Sequence, residues 1–268
     1  METILIPTDF SESATNAVKY GIELAKYFDA KVVFVNSYPI PPANYEAGTS
    51  LDLLNTLRDS SVQALKNLKA QYPEHNIDCF SEMGYPYDVI EDAVKKCNAD
   101  LIVMGIVGES GSLKHLIGSN ATYVARNIKT PCFIIPDGVT YHRIHKITFA
   151  CDFDKVEEDG LLYVAKCFSN LFDAELEVIN VDNSNLENNH QKQEVKKIID
   201  EKLHTINHTI EIVHDEHISD GIAKHLKDNS ADVLMLNPKK HHLFYHLFNE
   251  NVTKELAFRI KLPLLTIH

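Results

Sequence analysis

The chain of 268 residues contains the same order of segments twice. Two segments, Ala-Asp before an apolar run and Lys-x-Pro before another, recur at one constant offset, from Asp100 to Asp232 and from Pro131 to Pro263. A third match, Ile-x4-Asp-Phe, occurs near the start of the chain and again from residue 147. Chance similarity does not preserve order and spacing in this way, so the sequence predicts a tandem duplication.

The boundary between the copies is expected in a polar stretch around Asp137-Gly138, a pair that favours a turn. We therefore predict two domains, residues 1–140 and 141–268.

Each copy alternates short apolar, β-branched runs with longer segments of helical periodicity. Strands that are apolar nearly throughout suit a parallel sheet covered on both faces, and strict alternation with helices gives a doubly wound sheet. The predicted fold class is α/β, with two tandem five-stranded, Rossmann-like parallel sheets. In the first copy we predict strands near 2–7, 31–36, 76–80, 100–105 and 132–136, and helices near 11–28, 51–72, 86–97 and 117–127, with Ser11 as the cap of the first helix.

Charge and cysteine usage limit the partners and the compartment. With 26 basic and 38 acidic residues the net charge is −12, which disfavours broad attraction to nucleic acid or to anionic membranes. The five cysteines are scattered and never form Cys-x-x-Cys, so we expect free thiols, mostly as small buried residues, in a reducing cytoplasm. The start of the chain does not have the layout of a signal peptide.

A glycine pattern follows the fourth strand of the first copy. Gly105-Ile106-Val107-Gly108 is followed by nine residues and then by Gly118-Ser119 at the start of a helix. Glycine lets the backbone approach an anion closely, and the N–H groups at a helix start bind phosphate oxygens. Ligands of open parallel sheets bind beyond the carboxyl ends of the strands, which is where this pattern lies. The alternative is that these glycines only shape a turn and begin a helix.

The spacing Gly-x2-Gly-x9-Gly-[Ser/Thr] resembles the nucleotide-binding pattern of the universal stress protein family, and the opening Thr8-Asp9-Phe10-Ser11 is similar to the start of that family. The resemblance covers nearly the whole chain, as a tandem two-domain member. It implies an ATP site, with magnesium as a further candidate that Asp9 would help to hold. The binding residues implied in this sequence are Pro7, Thr8, Asp9, Asn36, Ser37, Met104, Gly105, Gly108, Gly118, Ser119 and Asn120.

The first copy departs from the family pattern in two places. Val107 stands where many ATP-binding members have a basic residue, and Asn36-Ser37 replaces the commoner His-Val. Lower phosphate affinity is therefore expected, although Lys114 lies in the intervening loop. Asp9 alone would more often be a helix-capping residue.

The second copy has lost the glycine pattern. At the offset that relates the two copies, the three glycines and the serine of the pattern are all replaced: Asn237, Lys240, Glu250 and Asn251 stand in place of Gly105, Gly108, Gly118 and Ser119. A carboxylate facing phosphate opposes binding, so we predict one nucleotide site per chain, in the first copy. The loop that replaces the pattern contains His241, His242 and His246. Two interpretations stay open: His242 and His246, four residues apart, bind a metal ion, or the segment is an exposed polar loop.

The sequence predicts an adenine-nucleotide-binding stress or signalling protein that acts by binding rather than by turnover. Two alternatives stay open at this point: a slow ATPase, and a ligand-free interaction protein. In the latter the final strands, near 133–135 and 264–266, would join the two copies as an internal pseudo-dimer, with a homodimer as a further possibility.

Overall fold

The structure is a computed structural model, and it describes residues 1–40, 47–106, 118–153, 160–182, 189–238 and 261–268. The described residues form two compact units, which divide between Tyr141 and His142. Each unit is an α/β structure whose strand pairs are parallel. The predicted fold class is confirmed.

The first unit alternates strands and helices from its first residues onward. Its strands are β1 (Thr3–Pro7), β2 (Lys31–Tyr38), β3 (Ile77–Met83), β4 (Leu101–Gly105) and β5 (Cys132–Ile135). Its helices are α1 (Glu12–Phe28), α2 (Ala47–Lys69), α3 (Pro86–Cys97) and α4 (Ser119–Asn127). The strand order is β3-β2-β1-β4-β5. The predicted elements are all present, with ends that shift by a few residues.

The second unit repeats this order. Its strands are β6 (Lys146–Ala150), β7 (Glu175–Asp182), β8 (His208–His214), β9 (Val233–Leu236) and β10 (Leu264–Thr266). Its described helices are α5 (Leu161–Phe172), α6 (Asn189–Leu203) and α7 (Ile218–Asp228). Its strand order, β8-β7-β6-β9-β10, is equivalent to that of the first unit.

Helix α1 shows how local sequence fixes the elements. Ser11 precedes it in an extended conformation, and its side chain accepts a hydrogen bond from the N–H of Ala14 at 3.2 Å, as expected for an N-cap. The helix ends at Asp29, whose left-handed backbone (φ 51°) closes the last turn. Residues at helical spacing, among them Ala17, Leu24 and Ala25, are buried against the sheet.

A repeated aspartate fastens the start of the first strand in each unit. Asp100 accepts hydrogen bonds from the backbone N–H groups of Glu2 and Thr3, at 2.6 and 3.0 Å. Asp232 accepts the same pair of bonds from His145 and Lys146, at 2.7 and 2.9 Å. The matching Ala-Asp segments therefore mark a structural tie between the fourth strand and the first.

The cysteine expectation holds only in part. All five thiols are free, and Cys132 and Cys151 are buried, but Cys79 and Cys167 are exposed. Cys79 lies in β3, an outer strand of the first unit's sheet, in which only Ile77 is buried. Within the described part of the chain, every helix is too short or too polar to cross a membrane.

Candidate functional site

The predicted site lies where the strand order of the first unit reverses. Strand β1 pairs with β2 on one side and with β4 on the other, so the connections leaving β1 and β4 diverge. Such a point opens a crevice at the carboxyl ends of the strands. Met104 and Gly105 lie at the end of β4, and Pro7 lies at the end of β1. The structure therefore brings the two halves of the predicted set to one edge of the sheet.

The turn after β1 is held by a backbone hydrogen bond to β2 and by two of its own side chains. The N–H of Thr8 donates to the carbonyl of Val35 at 2.8 Å, and the Thr8 hydroxyl accepts from the N–H of Phe10 at 3.0 Å. Asp9 is exposed, and its carboxylate accepts from the N–H of Ser11 at 3.1 Å. Phe10 has a φ of 65°, which is uncommon for a bulky residue and indicates a constrained turn. Asp9 thus supports the helix start, and it is an exposed carboxylate just beyond the carboxyl end of β1.

Asn36, near the end of β2, is buried, and its side chain links the turn after β1 to helix α2. Its side-chain amide donates to the carbonyl of Thr8 at 2.8 Å, and its carbonyl oxygen accepts from the Ser61 hydroxyl at 2.5 Å. The Ser61 hydroxyl also lies 2.7 Å from that of Ser81. Both ends of the Asn36 amide are therefore engaged within the protein, and Asn36 positions the turn after β1. Ser37, the next residue, is half-buried.

Gly105 is required by packing between α1 and β4. A Cβ atom built at this position would lie 2.7 Å from both the backbone oxygen and the hydroxyl of Ser13, in the first turn of α1. Only a residue without a side chain lets the helix approach the strand this closely. The glycine that sequence analysis assigned to ligand approach therefore also has a structural role.

The start of α4 presents its first turn at the same edge. The N–H of Gly118 donates to the carbonyl of Ile106 at 2.6 Å, which brings the helix start next to the end of β4. Gly118 has a φ of −58° and, lacking a side chain, forms no side-chain cap, while Ser119 is exposed. A helix start of this kind can bind an anion through its first N–H groups and the positive end of the helix dipole. Gly108, Val107 and Lys114 lie outside the described residues.

The second unit keeps the asparagine that corresponds to Asn36 but not the hydrogen bonds around it. Asn180 in β7 donates to the carbonyl of Cys151 at 3.0 Å, just as Asn36 does to Thr8. Its side-chain oxygen is buried and has no hydrogen-bond partner among the described residues. Asn237, which stands in place of Gly105, is buried. The remaining replaced positions, Lys240, Glu250 and Asn251, and the three-histidine loop lie outside the described residues.

Sequence analysis did not identify a buried polar cluster in the second unit. The Glu177 carboxylate accepts from the ammonium of Lys146 at 2.9 Å and from the Thr148 hydroxyl at 2.7 Å. One of its oxygens lies 3.0 Å from Nε2 of His225, whose Nδ1 lies 3.6 Å from the Glu211 carboxylate. The signal in the sequence was a single glutamate within the apolar run of β7.

Electrostatics keeps Glu177 charged inside this cluster. Burial opposes its ionisation, but the hydrogen bonds from Lys146 and Thr148 and the proximity of His225 outweigh that cost, so the pKa of Glu177 lies below its usual value. Among the described residues no group of three or more histidines, cysteines or carboxylates is placed to hold a metal ion.

Comparison with known proteins agrees with this architecture. The sequence model described as the universal stress protein family matches residues 1–136. Universal stress protein MJ0531 of Methanocaldococcus jannaschii is 35% identical over 136 residues, covering 49% of this chain and 80% of that protein. Universal stress protein Slr1230 of Synechocystis is 24% identical and covers 99% of both chains. A universal stress protein structure from Archaeoglobus fulgidus superposes with a TM-score of 0.73 at 18% identity, covering 99% of this chain and 95% of the other.

Proposed function

The chain belongs to the universal stress protein family, and we propose that its first unit binds an adenine nucleotide, ATP or a close relative, at the crevice between β1 and β4. The observation that carries the proposal is the start of α4, which Gly118 ties to the end of β4 at the switch point of the sheet. The phosphates would lie against the N–H groups of this helix start, with Ser119 as a hydroxyl donor and Asn120 beside it.

The turn after β1 would hold the adenosine side of the ligand. Thr8 and Asp9 belong to this turn, and the side chain of Asn36 fixes it. Asp9 would also be the carboxylate that contributes to a magnesium ion on the phosphates, if the nucleotide arrives with one. Pro7, Ser37, Met104 and Gly108 complete the proposed set.

We propose that the protein acts by binding. Hydrolysis needs a base for the attacking water and cations on the transferring phosphoryl group. The residues assigned to the site supply hydroxyl and N–H donors and one carboxylate, and Val107 replaces a basic residue. The slow-ATPase alternative is tested by measuring phosphate release from the purified chain, which should not exceed that of the Asp9→Ala variant.

The binding test is calorimetric titration of the full chain with ATP. We expect one site per chain. Gly118→Asp should lower affinity more than tenfold, because a carboxylate would face the phosphates. Asp is a favoured N-cap residue and the φ of Gly118 suits any side chain, so α4 should remain folded.

Two further variants separate the outcomes. Gly118→Asn adds a side chain of the same size without charge, and should lose less affinity than Gly118→Asp. Asn251→Ala, at the position that corresponds to Ser119 in the second copy, should leave binding unchanged. Two bound nucleotides per chain would contradict the prediction that only the first unit binds, and no binding would contradict the nucleotide function.

The ligand-free alternative and the pseudo-dimer make a different prediction. If the chain acts through assembly alone, ATP will not raise its melting temperature, whereas a bound ligand stabilises the folded state. The oligomeric state follows from light scattering of the purified chain with and without ATP. We place the protein in the cytoplasm as part of this proposal.

A further inference from the structure

Three tyrosines of the first unit form a continuous stack, which we call the tyrosine ladder: Tyr85, Tyr87 and Tyr123. The rings of Tyr85 and Tyr87 are parallel within 5°, with centroids 5.7 Å apart. Tyr87 also contacts Tyr123, with centroids 4.5 Å apart and a tilt of 33°. Tyr85, at the outer end, is 60% exposed. An aromatic stack that ends on an exposed ring offers a surface for another planar ring.

The tyrosine ladder begins next to the proposed phosphate site. Tyr123 lies four residues after Ser119 in α4, so both side chains lie on the same face of that helix, one turn apart. The other two tyrosines belong to the start of α3, which follows the carboxyl end of β3. The tyrosine ladder therefore lies at the same edge of the sheet as the proposed site.

The outer end of the tyrosine ladder is held by the backbone. The N–H of Gly84 donates to the carbonyl of Tyr38 at the end of β2, at 3.1 Å. Pro86 occupies the first turn of α3 immediately after Tyr85. The hydrogen bond of Gly84 and the fixed φ of Pro86 restrict the backbone on both sides of Tyr85, so little backbone freedom is lost when a ligand stacks on its ring.

We propose that the tyrosine ladder stacks a second nucleobase, and that the ligand class of this protein is a dinucleoside polyphosphate, two nucleosides joined through their 5′ oxygens by a phosphate chain. This inference rests on the proposed function, which places the phosphates at Ser119. The first base would occupy the turn after β1, and the phosphate chain would pass the start of α4 toward Tyr123.

Other stacking ligands fit the observations less well. Single-stranded nucleic acid also stacks on aromatic side chains, but it needs a positively charged groove, and this chain has a net charge of −12. A compact ligand with only a few phosphates is not subject to that requirement, since one helix start supplies the donors.

The test compares ATP with diadenosine tetraphosphate on the full chain. We expect the dinucleotide to bind about tenfold more tightly than ATP, since stacking of a base on an aromatic side chain accounts for a difference of that order. In Tyr85→Ala the ratio of the two affinities should fall to about one. Tyr163→Ala, which removes a tyrosine that is 73% exposed on α5, is the matched control and should keep the ratio.

A spectroscopic readout distinguishes stacking from an indirect effect. The chain has 11 tyrosines and no tryptophan, so its emission comes from tyrosine. The dinucleotide should quench this emission more than ATP does, and Tyr85→Ala should remove the extra quenching. If neither ligand binds, the proposed function fails. If ATP binds but the dinucleotide shows equal affinity, or if Tyr85→Ala keeps the ratio, the second-base subsite is overturned.

Discussion

The two units share a strand order but differ in the middle of the sheet. In the first unit the paired residues Leu5 of β1 and Val33 of β2 are both apolar and buried. In the second unit the equivalent pair in β6 and β7 is Thr148 and Glu177, again buried. The helix above them also differs: at the offset that relates Asp100 to Asp232, His225 of α7 stands in place of Ala93 of α3. One backbone therefore tolerates either an apolar or an ionic interior, provided that the charges are paired.

Near the carboxyl ends of the strands it is the first unit that has the more complete polar network. In the first unit Asn36 pairs in register with Ser81, and the hydroxyls of Ser61 and Ser81 complete its network. In the second unit Asn180 pairs with Ile212, and its side-chain oxygen has no partner in the described part of the chain. The first unit satisfies the buried asparagine beside its proposed site, whereas the second unit has a buried polar cluster around Glu177 in the interior of its sheet.

The largest expected effect is at Glu177. Glu177→Ala leaves Lys146 and His225 without their shared carboxylate, and breaking a buried ion pair in this way costs about 3–5 kcal/mol. Hydrogen exchange of β7 should rise accordingly while that of β2 stays unchanged. Glu175→Ala, two residues earlier and partly exposed, is the control and should change stability by less than about 0.5 kcal/mol. Equal protection of β7 in both variants would contradict a stabilising role for the cluster.

Gly105→Ala should affect the first unit alone. The added Cβ would meet the backbone oxygen of Ser13, which cannot move without shifting α1, and such overpacking costs about 1–3 kcal/mol. Hydrogen exchange of α1 and β4 measures the loss, with β9 of the second unit as an internal reference. Unchanged protection of α1 would show that the helix adjusts freely, and that Gly105 serves the ligand rather than the packing.

Ser61→Ala tests the network that the second unit lacks. The Asn36 oxygen would lose its hydroxyl donor while remaining buried, which costs about 1–2 kcal/mol. Thermal unfolding followed by circular dichroism compares this variant with Ser60→Ala, the exposed neighbour on the same helix. If both variants unfold at the same temperature, the hydrogen bond from Ser61 to Asn36 does not stabilise the fold.

The smallest expected effect is a pH dependence of the second unit. The folded-state pKa of Glu177 lies below its ordinary value because the donors around it outweigh burial, and that of Asp232 is lowered similarly by backbone N–H groups and His142. This stabilisation is complete above the ordinary pKa of the carboxyl groups and is lost as the pH falls through the lower, folded-state values.

Urea unfolding near pH 7 and near pH 4 measures this dependence. The difference in stability between the wild-type chain and Glu177→Gln should shrink at the lower pH, because the unfolded wild-type chain binds a proton at this carboxyl group more readily than the folded chain does. A difference that is independent of pH would contradict a charged Glu177.

The sequence alone determined the duplication and the order of strands and helices, and it predicted the edge of the sheet at which we propose that a ligand binds. These properties depend on periodicity, capping and spacing, which are local and are encoded in neighbouring residues. Ser11 and the apolar face of α1 are examples, since the residues that define the helix all lie within it or next to it.

Only the tertiary structure decided what individual residues contact. Gly105 meets Ser13, Asn36 meets Ser61, and Glu177 meets His225, a residue three elements further along the chain. The pattern of a strand specifies which side chains are buried, but strand register and helix packing select the partner of each buried polar group. Residues far apart in the sequence become neighbours only when the whole sheet forms, and for that reason no local pattern could have identified these pairs.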